Sequence, residues 1–524
     1  MGARGPFAAA VLAAILAVPG ARPAAHAADG AASRCAVDAF APLPSVRLVS
    51  AEPVAEPAPH CLVAGVIDRE INFELRLPDA WNGKFVFGGG GGFVGSVMNL
   101  AHDFYGVVGR GWATVGTDTG HRGHGLDASW ALGNLERLVN FGHLAVHRTT
   151  VNAKALIEDY YGAGIARSIF FGCSRGGGQG LMEAQRYPAD YDGIVAMAPV
   201  YDWTHAMGAQ GIRIAQAMYP DPDSIAEPVL NADALRILGD AVMTQCDARD
   251  GLADGILNDP RQCPFDVRRL ACGTAPANAC LTPAEIAAAE AIYTDFEVGW
   301  RRVRGFPVGG ELPGYPFGWD MWLTGGYDAG AAGAAGEGGS AAAPPRAPNG
   351  SWGYAMGVMG AFLYNDPGWT YAGYDFSDFA EQAARVASTL DAADPDLAAF
   401  RARGGKLILD AGWMDSIVSP YHVLAYYEDV LAADPSAAAD IRLFLRPGVT
   451  HCGLGPGPDG TDYLAAMEAW LDTGVPPDAL PAAFRDDMWR PTGGGRIVCA
   501  HPWIVAYDGA GDPRDPASFS CRMP

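Results

Sequence analysis

Basic residues are scarce in this chain. It carries 36 Lys and Arg against 59 Asp and Glu over 524 residues, a formal net charge of −23 at pH 7. A surface of that sign repels phosphate backbones, which argues against a nucleic-acid partner; the plain alternative is that the acidity serves solubility alone. Beyond the N-terminus no apolar run is long enough to span a bilayer, so no membrane-spanning segment is expected. No cysteines stand at the CxxC spacing of a zinc site, and there is no internal repeat.

What is present starts with a targeting signal. Arg4 is followed by the apolar run Phe7 to Val18 and by Ala25-His26-Ala27, suited to cleavage before Ala28. Residues 1–27 therefore read as a secretory signal peptide, and the mature chain as an exported protein of the periplasm or medium. Ten cysteines in such a chain predict disulfides. Spacing suggests local pairs: Cys35 with Cys61, Cys246 with Cys263, Cys272 with Cys280, Cys499 with Cys521. Cys173 and Cys452 are left over, far apart in sequence. Some thiols staying free is the alternative.

A 49% hydrophobic content supplies a large core and more than one domain. From about residue 63 to 200, short apolar runs (Lys84 to Phe87, Trp112 to Gly116, Ile169 to Phe171, Ile194 to Val200) alternate with helical stretches such as Gly180 to Tyr187. The rhythm returns at Lys406 to Leu409 and Arg442 to Leu445, with a helix over Tyr421 to Leu431 opened by Pro420. Alternation of this kind predicts an α/β protein with a mostly parallel sheet and helices on both faces. Residues 201–392 differ: they hold four cysteines, many aromatics and an Ala/Gly/Pro tract from Ala329 to Pro348, expected to be a mobile surface insertion. They read as a lid domain inserted between two parts, 28–200 and 393–524, of one catalytic domain.

Gly172-Cys173-Ser174-Arg175-Gly176 fits the G-x-S-x-G turn that lifts a serine hydroxyl above a sheet between strand and helix. The alternative is a glycine-rich turn with Ser174 as a helix cap. A serine needs a base, and in the α/β-hydrolase fold the order is Ser, then Asp or Glu, then His. His422, His451 and His501 remain after the late strands. His451 follows a strand by a short loop, where such a base belongs. Asp415 lies just past the strand 406 to 409; Asp410, at the strand end, is the alternative acid and could equally be structural. If Ser174 and His451 meet, their neighbours Cys173 and Cys452 are brought within disulfide range. The run Gly88 to Gly92 can present a backbone N–H, assigned to Gly91, to a developing oxyanion, together with the N–H of Arg175. The run lacks the Lys-Ser/Thr ending of a phosphate loop and the spacing of a dinucleotide site.

From Cys246 onward, Asp247, Asp250 and Asp254 stand at offsets 0, 3 and 7 with glycines beside the last two. Three carboxylates with the backbone carbonyls of Leu252 and Ile256 suit a hard cation such as Ca2+. An acidic solvated turn is the other reading.

Taken together, Cys173-Ser174, Asp415 and His451-Cys452 resemble the signature of the tannase and feruloyl esterase family, which includes the hydrolase of mono(2-hydroxyethyl) terephthalate. The stretch Met182 to Pro188 with Asp192-Gly193-Ile194 looks like the family too. Arg175 departs from it, since a smaller or acidic residue is expected after the serine. The resemblance implies an α/β-hydrolase fold with a large lid, a Cys173–Cys452 disulfide, a structural calcium site from Asp247 to Ile256, and a small-molecule substrate, an ester of an aromatic acid such as gallate or ferulate. The lid supplies candidate pocket aromatics in Tyr354, Phe362, Tyr364 and Trp369. No Lys or Arg occurs from Ala347 to Ala384, which favours a neutral phenolic ester over a terephthalate monoester. The readings outside this class are a non-catalytic calcium-stabilised binding protein and, on the same fold, a peptidase.

Overall fold

The computed structural model describes residues 34–276, 279–325 and 347–524. The expected signal peptide, and the Ala/Gly/Pro tract up to residue 346, lie outside the described residues.

Nine strands make one sheet, in the order β1 (Val46–Val54), β2 (His60–Ile67), β3 (Ile71–Pro78), β5 (Ala113–Thr117), β4 (Lys84–Gly88), β6 (Arg167–Cys173), β7 (Gly193–Met197), β10 (Lys406–Gly412) and β11 (Ile441–Arg446). From β5 to β11 every pairing is parallel; β1 to β3 and the β3–β5 pair are antiparallel. The burial patterns explain which strands the sequence exposes to view. β5 is buried at every position and β6 at all but its first, because helices cover both faces; such strands read as unbroken apolar runs. β3 alternates buried and half-buried residues, and β1, at the sheet edge, has no buried residue.

After β7 the chain leaves the sheet and returns to it only at β10. Between them lie the helices Gln210–Met218, Ala232–Cys246, Pro283–Tyr293, Gly350–Gly357 and Phe379–Leu390, and a hairpin of β8 (Phe296–Val298) and β9 (Arg301–Val303). The outgoing and returning segments are stitched together. Trp203 and Thr204 donate backbone N–H bonds to Asp391 Oδ1 at 2.8 and 3.1 Å, the Thr204 hydroxyl bonds Asp391 Oδ2 at 2.6 Å, and Ala392 N donates to Tyr201 O at 2.7 Å. Past β11 come the helix Tyr463–Thr473 and two hairpins, β12 (Ala479–Arg485) with β13 (Pro491–Cys499) and β14 (Ile504–Tyr507) with β15 (Phe519–Arg522). Among the described residues no helix is long and apolar enough to cross a membrane.

The core lies on both faces of the sheet. One cluster runs from the β3 face through Phe93, Phe141 and Trp203 into the insertion. The other packs Trp112, Met467 and Trp470 beneath β6, β7 and β10. At the end of β6 there is no room for a side chain: a Cβ on Gly172 would stand 2.5 Å from the backbone carbon of Gly176. Gly172→Ala is expected to destabilise the protein by about 1–3 kcal/mol, the usual cost of overpacking, read as a lowered midpoint in urea unfolding.

Candidate active site

Ser174 sits between β6 and the helix Arg175–Arg186 with φ 60° and ψ −123°. A non-glycine residue holds such a backbone only when its surroundings over-determine it. Here they do: Ser174 N donates to Met197 O at 3.0 Å, and its carbonyl accepts from Gly178 N at 3.1 Å and Val200 N at 3.0 Å. Each glycine of the turn faces close backbone: Gly172 the helix at Gly176, Gly176 the loop after β4 at Gly89 and Gly90, and Gly177 the end of β7 at Met197.

Asp415 and His451 are brought together. The two loops that carry them follow adjacent parallel strands, β10 and β11. His451 Nδ1 lies 2.7 Å from Asp415 Oδ2. The other carboxylate oxygen accepts from Ile417 N at 3.0 Å and Val418 N at 2.9 Å, so the acid is fixed in orientation. The His451 loop is anchored in turn. Thr450 Oγ1 bonds Gly453 O at 2.7 Å and Pro316 O at 2.9 Å, and Leu454 N donates to Asp459, which a bidentate Arg485 holds at 2.9 and 3.1 Å.

A disulfide joins Cys173 to Cys452 with Cα atoms 5.8 Å apart, closing 279 residues of chain. At about 3.8 Å per peptide step, the Cα atoms of Ser174 and His451 are then no more than about 13 Å apart. The other bonds are Cys35–Cys61, Cys246–Cys263, Cys272–Cys280 and Cys499–Cys521, leaving no free cysteine.

The alternative residues have other partners. Asp410 is fully buried against Arg446 Nη2 at 2.6 Å and the Tyr463 hydroxyl, a structural ion pair under the strand ends. His422 points to Gln210 at 3.3 Å, and burial holds it down at about 4; His501 packs edge-on to Tyr427, also pushed down to about 4 by burial.

Gly91 lies in the loop after β4, which rests on the turn: a Cβ on Gly176 would meet Gly90 O at 2.9 Å. Arg175 N, at the first helical position, has no intrahelical acceptor. The Arg175 side chain turns away from this side. It bonds the carbonyls of Phe141 and Gly142 and lies over the rings of Phe141 (4.3 Å) and Trp203 (5.7 Å). Among the described residues no carboxylate pairs with it, and burial pulls the guanidinium down to about 9.

Aromatic side chains link His451 to the glycine loop. Trp322 meets His451 edge-on at 5.8 Å, stacks towards Tyr354 at 6.3 Å, and Tyr354 meets Phe93 at 5.1 Å. Trp322 and Phe93 escape sequence reasoning; the only signal for Trp322 is its place in the Trp319 to Trp322 run. Phe362 packs behind Phe93 in the core at 5.2 Å. Tyr364 and Trp369, expected near the pocket, stack instead on each other and on Tyr374, tied by Tyr364 to Asp378 at 2.6 Å.

The acidic loop closes between Cys246 and Cys263, with Gly251 at φ 97° and Gly255 at φ 78°. Asp247 accepts from Gly255 N at 3.0 Å, Asp250 from Asn258 N at 2.9 Å, and Asp254 pairs with Arg496 of β13. Burial raises the Asp250 carboxyl, and repulsion from Asp254 and Asp247 adds to it. The Leu252 and Ile256 carbonyls belong to the same loop.

A family model described as tannase and feruloyl esterase matches residues 59–522. The chain belongs to the tannase and feruloyl esterase family. Its class of activity is accordingly that of an esterase. It is 34% identical to an uncharacterised esterase of Xanthomonas campestris pv. campestris, over 88% of this chain and 84% of that one. It is 33% identical to mono(2-hydroxyethyl) terephthalate hydrolase of Piscinibacter sakaiensis, over 89% and 85%. Feruloyl esterase B from Aspergillus oryzae shares the fold, with a TM-score of 0.79 at 24% identity, covering 94% of this chain and all of that one; tannin acyl hydrolase from Aspergillus niger does so with 0.70 at 21%, covering 94% and 96%. The architecture of this esterase is thus the α/β-hydrolase type.

Replacing Cys173 and Cys452 together by alanine removes the one covalent tie between the two loops. For a closed loop of this length the chain-entropy model gives a loss on the order of 5 kcal/mol. The expected outcome is a much lower urea midpoint and loss of ester turnover in protein that is still folded.

Proposed function

We propose that this esterase is a secreted serine carboxylic-ester hydrolase acting on esters of aromatic, phenolic acids such as gallate or ferulate through an acyl-enzyme. The observation that carries the reading is the 2.7 Å pair of Asp415 and His451 on a loop bonded covalently to the Ser174 turn. Ser174 Oγ attacks the ester carbonyl while His451 Nε2 takes its proton. Asp415, on Nδ1, holds the imidazole in the tautomer this requires and stabilises the imidazolium. The N–H groups of Gly91 and Arg175 receive the negative charge that grows on the carbonyl oxygen. Collapse releases the alcohol, protonated by His451, and leaves the acyl group on Ser174. Water, deprotonated by His451, then frees the acid and the serine.

Residues 201–392 act as the lid over this site. The wall of Trp322, Tyr354 and Phe93 supports an aromatic acid next to the scissile bond. The absence of Lys and Arg from Ala347 to Ala384 favours a neutral phenolic ring over the free carboxylate of a terephthalate monoester. Asp247, Asp250 and Asp254 with the Leu252 and Ile256 carbonyls would hold a structural Ca2+ that neutralises the loop. Ten paired cysteines suit an oxidising compartment, and with the apolar leader they support export.

Turnover of methyl gallate, methyl ferulate and mono(2-hydroxyethyl) terephthalate tests the reading. Both phenolic esters should exceed the terephthalate ester in kcat/KM; the reverse order would reject the substrate class. Ser174→Ala is expected to lower kcat by about 10⁴-fold or more and to abolish labelling by a fluorophosphonate probe, whereas a binding protein would show neither activity nor labelling to lose. Chelation is expected to lower the melting temperature, corresponding to about 2.7 kcal/mol for calcium at about 100 times its Kd. Asp250→Asn should remove that calcium dependence; a melting temperature indifferent to chelator and calcium in the parent protein would reject the metal.

A further inference from the structure

The glycine loop after β4 has its hydrogen bonds committed on both sides of Gly91. Gly89 N donates to Phe171 O at 2.8 Å, and Gly90 N donates to the side-chain oxygen of Gln179 at 3.1 Å. On the far side, Phe93 N donates to Gly125 O at 2.7 Å, Val94 N to Gly91 O at 2.9 Å and Gly95 N to Asp118 O at 3.2 Å. The Phe93 carbonyl faces His121 Nε2 at 2.9 Å. Neither Gly92 N–H nor Gly91 N–H donates to a protein acceptor among the described residues; Gly92 is walled in, its Cβ position 2.5 Å from Gly125 O, and the open position is Gly91. A Cβ there would touch only the end of Met98, at 3.4 Å, so the space beside it is open.

The two side chains in this frame are built in. Gln179 is 2% exposed, on the helix that begins at Ser174. His121 is 1% exposed and lies flat on Trp130, with ring centroids 3.7 Å apart and planes 18° apart. Burial holds the ring down at about 4, so at neutral pH it carries one proton, and a carbonyl partner puts that proton on Nε2.

We propose that Gln179 and His121 are positioning residues, clamping the loop at Gly90 and at Phe93 so that the Gly91 N–H stands where negative charge develops on the ester oxygen. The inference rests on the reading of Ser174 as nucleophile and Gly91 as oxyanion donor. Gln179 ties the loop to the nucleophile's own helix, so donor and nucleophile keep one frame. His121 ties it to the loop after β5, and Phe93 carries that tie to the aromatic wall. A donor displaced by about 1 Å loses much of its value in the transition state while ground-state binding is spared.

The test uses Gln179→Met and His121→Phe, which keep the shape and remove the hydrogen bond, and His121→Gln, which keeps an N–H donor at similar reach. Each is assayed on methyl ferulate and for inhibition by phenylboronic acid, which forms a tetrahedral adduct on a serine. The first two are expected to lose about 10- to 100-fold in kcat, with KM within about threefold and the boronate inhibition constant rising in step with the loss in kcat. His121→Gln should recover most of both. Unchanged kcat and boronate affinity in folded Gln179→Met or His121→Phe would overturn the clamp, as would a fall in stability with a proportionate loss in all parameters and no rescue by His121→Gln. Boronate binding that survives Ser174→Ala would refute the nucleophile reading itself, and the clamp would fall with it.

Discussion

One covalent bond sets the frame for everything around the site. Cys173 and Cys452 are separated by 279 residues, and their bond makes the end of β6 and the loop after β11 a single rigid piece. Without it those loops meet only because the parallel strands between them, β7 and β10, keep register. With it, the strained backbone at Ser174 and the positive φ of Cys452 are held from both sides. The same bond constrains the unfolded chain, since a loop of that length loses more freedom than any other in this protein. Positioning and stability are therefore drawn from one source.

Around that bond the polar groups are arranged so that each buried charge has a reason to stay where it is. Asp415 has two backbone amides and an imidazole. Asp410, five residues earlier, has Arg446 and Tyr463, and needs them, because a lone carboxylate there would be uncompensated. Asp459 locks the base loop to Arg485 of the C-terminal hairpin. Among the described residues, two groups on the helix after Ser174 depart from this: Glu183, buried with neither carboxylate oxygen hydrogen-bonded and its carboxyl raised by burial, and Arg175, whose guanidinium has aromatic faces and main-chain carbonyls but no anion. Arg175 touches the Phe141–Trp203–Phe93 cluster behind the glycine loop and so packs that loop from the rear.

The parallel half of the sheet was legible because strands buried on both faces leave continuous apolar runs, and because Gly172, Ser174 and Gly176 mark the turn without ambiguity. The pairing of Asp415 with His451 was legible from chain order together with their places just past two late strands, with Asp410, His422 and His501 as the alternatives. The edge strand β1 was not, since with no buried residue it has no apolar period, nor was β13, whose Pro-Thr-Gly-Gly-Gly-Arg start carries no strand signal. Trp322 and Phe93 could not be found from spacing: contact with His451 and Tyr354 arises across more than a hundred residues of chain. Tyr364 and Trp369 looked equivalent to Tyr354 by composition, and only packing separates them.

The insertion between β7 and β10 is held at three places of different kinds. Asp391 gathers its two ends at Trp203 and Thr204. Pro316 and Phe317 accept hydrogen bonds from Thr450 and Ser416, in the loops of the base and the acid. Asp254, in the acidic loop, reaches Arg496 on β13. A cap fixed at its ends, over the site and at its far edge has little room to move as a rigid body. The rings of Trp322, Tyr354 and Phe93, in contact at 6.3 and 5.1 Å, add an apolar seam that joins the insertion to the glycine loop.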